Sequence, residues 1–131
     1  MVIDTSALVA ITLGEASSQS LLEQIESAAE RVISTVSLLE AGMVLRARRG
    51  ATVIPVLHQL IEELGSEVVP FDGLQARLAI TAFGRFGKGM GHPAQLNFGD
   101  CAVYALAEFR GEPILATGND FAATDLRVLR P

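Results

Sequence analysis

The chain has no tryptophan, one tyrosine, one cysteine and one lysine among its 131 residues. Each shortage excludes something. A single cysteine, Cys101, cannot form an internal disulfide, and a reducing cytoplasm fits that usage best. Sparse aromatics leave no stacking platform for single-stranded nucleic acid. Basic residues are outnumbered, ten Lys plus Arg against fifteen Asp plus Glu, for a net charge of −5. A simple nucleic-acid binder is usually basic. The balance argues against binding by bulk charge, but not against a nucleic-acid enzyme that gathers acids around divalent cations. No apolar run reaches the roughly 18–20 residues of a membrane span. No basic segment precedes an apolar stretch at the start, so no signal peptide is expected.

What is present is apolar: half of the residues are hydrophobic and the mean hydropathy is +0.39. That composition suits one domain, residues 1–131, with a sizeable core. Residues 2–3 read as a short strand and 5–13 as a helix stopped by Gly14. A serine-capped helix is expected over 17–29, a β-branched strand at 31–35 and a helix over 37–50. A helix over 52–65 tolerates Pro55 in its first turn. A strand at 67–71 precedes a helix over 73–86 capped by Asp72. A glycine-rich loop, 87–97, leads into a helix over 98–111. Strands at 113–117 and 127–129 flank a short turn over 120–125. Short apolar strands separated by helices imply an α/β fold in three layers, α/β/α, with a central, mostly parallel sheet of about five short strands. No repeat or linker divides the chain.

Sites in such sheets form beyond the carboxyl ends of the strands, at a topological switch point. Asp4 interrupts the apolar start "MVIDTSALVA" at such an end. Glu40 follows the second strand, Asp100 opens the helix after the glycine-rich loop, and Asn119 and Asp120 follow "PILAT". Converging carboxylates repel unless cations sit between them, and Mg²⁺ or Mn²⁺ prefers such oxygen ligands. Each acid also has a capping role open to it. Asp4 suits the N-cap of the helix at Thr5, Ser37 and Glu40 match a Ser-x-x-Glu capping box, and Asn97 with Asp100 is a variant of it. Asp120 can cap the turn that follows it, and Asp125 reads as a turn or capping residue. Spacing alone does not choose between the two accounts.

In order along the chain, "MVIDTSALVAI", "STVSLLEAGMVL", "LNFGDCAVYALA" and "PILATGNDFAATDL" resemble the motifs of PIN-domain ribonucleases, specifically the VapC type of toxin. The resemblance covers essentially the whole chain and implies a PIN-like fold. It places the family's acids on Asp4, Glu40 and Asp100. For the fourth acid, Asp120 is preferred to Asn119 because it directly precedes Phe121. It further implies metal-dependent RNA cleavage with Mg²⁺ or Mn²⁺, leaving a 5′-phosphate and a 3′-hydroxyl. Partners implied are an RNA substrate, a cognate VapB-type antitoxin and a second copy in a homodimer, with no membrane. The antitoxin groove or dimer face is expected on helices 17–29 and 52–64. Thr5, Ser6, Asn97 and Asn119 are supporting or substrate-orienting candidates. Arg46, Arg48 and Arg49 suit either a helix dipole or an RNA phosphate. Lys88 and His92 fall in the glycine-rich loop, and His58 on an amphipathic helix.

Two other classes share part of this pattern. A receiver-like, Mg-binding signalling domain needs a lysine after a late strand, and the sole lysine, Lys88, lies in a loop. A haloacid-dehalogenase-type phosphatase needs a second aspartate two residues after the first, which "DTSAL" lacks. A non-catalytic PIN-like binding module is the remaining alternative, and the joint presence of Asp4, Glu40 and Asp100 argues against it.

Overall fold

A computed structural model describes all residues, 1–131. Five strands, β1 (Val2–Ile3), β2 (Val32–Ser34), β3 (Glu67–Val69), β4 (Ile114–Leu115) and β5 (Val128–Leu129), pair in the order β3-β2-β1-β4-β5. Every pairing is parallel, which makes the sheet wholly rather than mostly parallel. Six helices surround it: α1 (Thr5–Leu13), α2 (Ser18–Ser27), α3 (Thr35–Arg49), α4 (Ile54–Glu63), α5 (Gly73–Phe86) and α6 (Phe98–Arg110). No helix is long and apolar enough to cross a membrane.

Side-chain alternation along the strands divides the core into two layers. Val2, Val32 and Ile114 point to one face, where α5 and α6 pack with Tyr104, Leu106 and Phe121. Ile3, Ile33 and Leu115 point to the other, beneath α1 to α4 with Leu8, Leu21, Ile25 and Leu57. Because both faces are covered, β1, β4 and β5 are continuous apolar pairs rather than alternating ones, while β3, at the sheet edge, starts at the exposed Glu67. The 120–125 segment folds as hydrogen-bonded turns between β4 and β5.

The helix ends explain themselves locally. Gly14 closes α1 in the left-handed region, at φ 65°, where its N–H reaches the carbonyls of Ala10 and Ile11. Asp72 caps α5 by accepting from Gln75 N at 2.9 Å. The expected start of the 37–50 helix is corrected. α3 begins at Thr35, directly after β2, and its N-cap is Ser34, whose hydroxyl accepts from Val36 N at 3.2 Å. Ser37 lies inside the helix with its hydroxyl buried and unpartnered, so the Ser37–Glu40 capping box does not form. Glu40 is left without a capping task.

The strand order places a switch point at β1 and β4. The chain moves outward from β1 to β2 and β3, then returns to the other side of β1 for β4 and β5. The crevice beyond the carboxyl ends of β1 and β4 is where such sheets bind ligands.

Candidate active site

A pocket of about 280 Å³ opens at that crevice. Asp4, Glu40, Asp100 and Asp120 all line it, brought from β1, α3, α6 and the segment after β4. Thr5, Ser6 and Asn97 line it as well. Asn119 is exposed and does not.

Asp4 is buried, and its Oδ2 accepts from Ser6 N at 2.9 Å and from Ser6 Oγ at 2.5 Å. It therefore does cap α1. Ser6 Oγ also accepts from Thr117 N at 3.1 Å, tying the end of β4 to the start of α1. Thr5 turns away from this network and donates to Ser37 O at 3.5 Å. Asp100 forms the expected capping box: its Oδ2 accepts from Asn97 N, and Asn97 Oδ1 accepts from Asp100 N, both at 2.9 Å. Asp4 and Asp100 each use Oδ2 to accept from the local backbone. Capping and pocket-lining prove compatible for both.

The electrostatics follow from the crowding. Burial pushes the Asp4 carboxyl above its usual range; the Ser6 hydrogen bonds oppose that, and the charge of Glu40 adds to it. Asp100 is pushed up to about 6, first by burial, against the hydrogen bond from Asn97, and further by Asp120, Asp4 and Glu40. Burial and the Asp100 charge also raise the Cys101 thiol, to about 11. As the side chains stand, no three of the acids meet closely enough to share one ion.

Several contributors were not singled out from the sequence. Gly99 is the most informative. A Cβ there would collide with Glu40 Oε2, so only glycine lets the Glu40 carboxylate lie against the first turn of α6. Its signal was a poor helix former beside Asp100. Glu15 and Thr117 also line the pocket, beside Val9 and Val44; Thr117 falls within the "PILATGNDFAATDL" motif, and Glu15 in none. Arg48 is the one cation lining the pocket, held loosely by Glu15 at 3.9 Å with both side chains about half exposed. Arg46 instead borders the groove between α3 and α4. His92 packs edge-on against Phe86 and its Nδ1 accepts from Ala94 N, away from the pocket. Lys88 and His58 are exposed outside it.

Two apolar hollows lie elsewhere on the surface. One, between α3 and α4, includes Leu38, Leu39, Met43 and Leu57. The other, between α5 and α6, is lined only by apolar residues, among them Phe71, Ile80, Phe83 and Phe98. The α2 helix contributes to neither, since Leu21 and Ile25 are fully buried and Leu22 packs partly buried against the core.

The PIN domain family matches residues 1–126. Ribonuclease VapC28 of Mycobacterium tuberculosis is 45% identical over 127 residues, covering 97% of this chain and 96% of its own. Ribonuclease VapC of Mycolicibacterium smegmatis is 40% identical over 126 residues, covering 96% and 97%. Among solved structures, Mycobacterium tuberculosis VapC20, a sarcin-ricin loop cleaving toxin, superposes with a TM-score of 0.80 at 20% identity, covering 99% of this chain and 98% of its own. A toxin–antitoxin complex from Klebsiella pneumoniae gives 0.72 at 15% identity, covering 99% and 96%. The two structural likenesses are of fold.

Proposed function

Because the chain belongs to the PIN-domain family, and within it to the VapC ribonucleases, we propose that it is the ribonuclease toxin of a toxin–antitoxin pair and hydrolyses RNA phosphodiester bonds at the acidic pocket. The observation that carries the reading is the meeting of Asp4, Glu40, Asp100 and Asp120 in one pocket at the sheet's switch point. PIN-domain VapC ribonucleases are in general dependent on divalent metal. The residues here suit Mg²⁺ or Mn²⁺. Every carboxylate donor is a hard oxygen, burial first and then the neighbouring carboxylates raise Asp100, and Gly99 leaves the room that Glu40 occupies.

Asp4 and Asp100 would hold the ion, with Glu40 and Asp120 supporting it, directly or through water. When bound, such an ion acidifies a water for attack and neutralises charge growing on the phosphate. The chain's own residues prepare the pocket. Ser6 orients Asp4 through both its N–H and its hydroxyl. The Asn97 backbone orients Asp100. Arg48 can leave its loose contact with Glu15 for a substrate phosphate, which matters in a pocket whose other charged residues are all acids. A cytoplasmic site of action follows from an RNA substrate. A cognate antitoxin and a second copy of the chain are the occupants expected for the two apolar hollows.

The test is cleavage of RNA by the purified protein with Mg²⁺, Mn²⁺ or chelator, beside Asp4→Ala and Asp100→Ala. Cleavage is expected only in the wild type with metal, with losses of at least about 100-fold in either variant. Cleavage that survives chelation and both substitutions overturns the mechanism. Metal-dependent cleavage of DNA but not RNA overturns the substrate class. Antitoxin binding without any cleavage would make the protein a non-catalytic binding module.

A further inference from the structure

Asp4 and Asp100 are each oriented by hydrogen bonds from their own helix starts. Asp120 has no comparable partner; its carboxylate lies beside Gly118, where a Cβ would sit 3.0 Å from Oδ2. Its placement has to come from the segment that carries it. That segment is well tied. Phe121 is buried in the core layer under α6. Ala122 N donates to Asn119 O at 3.0 Å, and both Thr124 N and Thr124 Oγ1 donate to Phe121 O, at 3.0 and 2.8 Å. Residues 119–124 thus form one braced unit.

Asp125 anchors the far end of that unit. Tyr104, the only tyrosine, is buried along its ring and donates its hydroxyl to Asp125 Oδ1 at 2.6 Å. Arg85 Nη2 donates to Asp125 Oδ2 at 2.8 Å, and the same guanidinium lies 4.5 Å from the centroid of the Phe86 ring. Both oxygens of Asp125 are therefore used, by α6 and by α5. The Tyr104 and Arg85 hydrogen bonds hold the Asp125 carboxyl below its usual range, as expected of a charge-assisted clamp rather than the turn or capping residue its position suggested. Tyr104 stands one helical turn after Asp100 on α6. The helix that presents Asp100 is thus also the helix that grips the Asp120 segment.

We propose that Asp125, held by Tyr104 and Arg85, is a positioning residue that fixes Asp120 against Asp100 and so sets the pocket's affinity for a divalent cation. The inference rests on the metal-dependent reading above. It gives a conspicuous hydrogen-bonded trio outside the pocket a role in assembling it. A purely structural role would only return the chain to β5 and would leave the pocket unaffected.

Direct Mn²⁺ titration of the full-length protein, followed by electron paramagnetic resonance, separates the two roles. The variants are Tyr104→Phe, which keeps the buried ring, and Asp125→Asn. A control, Ile25→Val, loosens the core layer on the opposite face of the sheet. Both clamp variants should bind Mn²⁺ about tenfold more weakly, the lower end of what losing an outer-shell partner costs. The metal concentration for half-maximal RNA cleavage should rise by the same factor. The control should melt earlier and keep wild-type affinity. Clamp variants that bind Mn²⁺ as the wild type does, or a control that weakens as much as they do, overturn the inference alone. A wild type that binds no Mn²⁺ overturns the metal reading itself.

Discussion

At the scale of single residues, the pocket depends on groups that serve two masters. Asp4 and Asp100 each cap a helix with one oxygen and present the other to the pocket. Gly99 acts by what it lacks. In Gly99→Ala the new methyl meets the far end of a flexible Glu40 side chain, which can swing aside. Alanine is also the better helix former by about 1 kcal/mol. The variant should therefore fold and melt close to wild type while cleaving RNA about 100-fold more slowly, the usual consequence of a misplacement near 1 Å. Circular dichroism and a single-turnover assay check the two halves. The raised Asp100 carboxyl makes a second prediction. Unfolded, the group titrates near 4; folded, at about 6. Between those values the folded chain binds more protons at this position, so its contribution to stability falls as pH rises through the window. Asp4 acts in the same direction. In chelator, melting at about pH 5 should accordingly gain relative to melting at about pH 7 from these two groups, and the gain should shrink in Asp100→Asn.

At the scale of elements, the helix starts decide which acids are free to act. The α3 helix begins without a loop because the last residue of β2, Ser34, is itself the cap. That pushes Glu40 past the first turn, where no orphan N–H needs it. At α6 the opposite holds, and Asn97 is a cap in fact. Asn97→Ala removes the acceptor for Asp100 N but leaves the backbone N–H of residue 97 to hold Asp100 Oδ2. Stability should drop by about 1 kcal/mol, measurable by urea denaturation, with RNA cleavage at saturating metal close to wild type. Asn97→Ser, which keeps a neutral cap acceptor, should restore the stability. A large loss of cleavage in Asn97→Ala would give this residue a substrate contact instead.

At the scale of the whole molecule, one sheet gathers four acids that are up to 116 positions apart in the sequence, from Asp4 to Asp120. Their repulsion is a cost of folding that a bound cation removes. At about pH 7.5, Mg²⁺ at a hundredfold excess over its Kd should add about 2.7 kcal/mol of stability. The increase in melting temperature, read with and without chelator, should largely vanish in Asp4→Ala. An equal increase in both proteins would mean the ion binds somewhere else.

The sequence by itself determined the order of elements, because apolar periodicity and turn residues are local signals. Gly14, Asp72 and the Asn97–Asp100 pair mark helix ends that the structure has at those residues. Motif order also singled out Asp4, Glu40, Asp100 and Asp120, although Glu40 lies inside α3 rather than at its start. What local signals could not reach were contacts between elements distant in the chain. Ser37 and Glu40 imitate a capping box, and only the strand feeding directly into α3 at Ser34 dissolves it. Asp120, preferred to Asn119 for its place before Phe121, is the one of the two that lines the pocket, and the turns after β4 carry it there. The need for glycine at position 99 is a clash between α3 and α6, and the grip on Asp125 joins α5, α6 and the C-terminal segment. Sequence patterns report what a residue does to its neighbours along the chain. Where a carboxylate points, and what crowds it, is decided when the sheet closes the distance between strands.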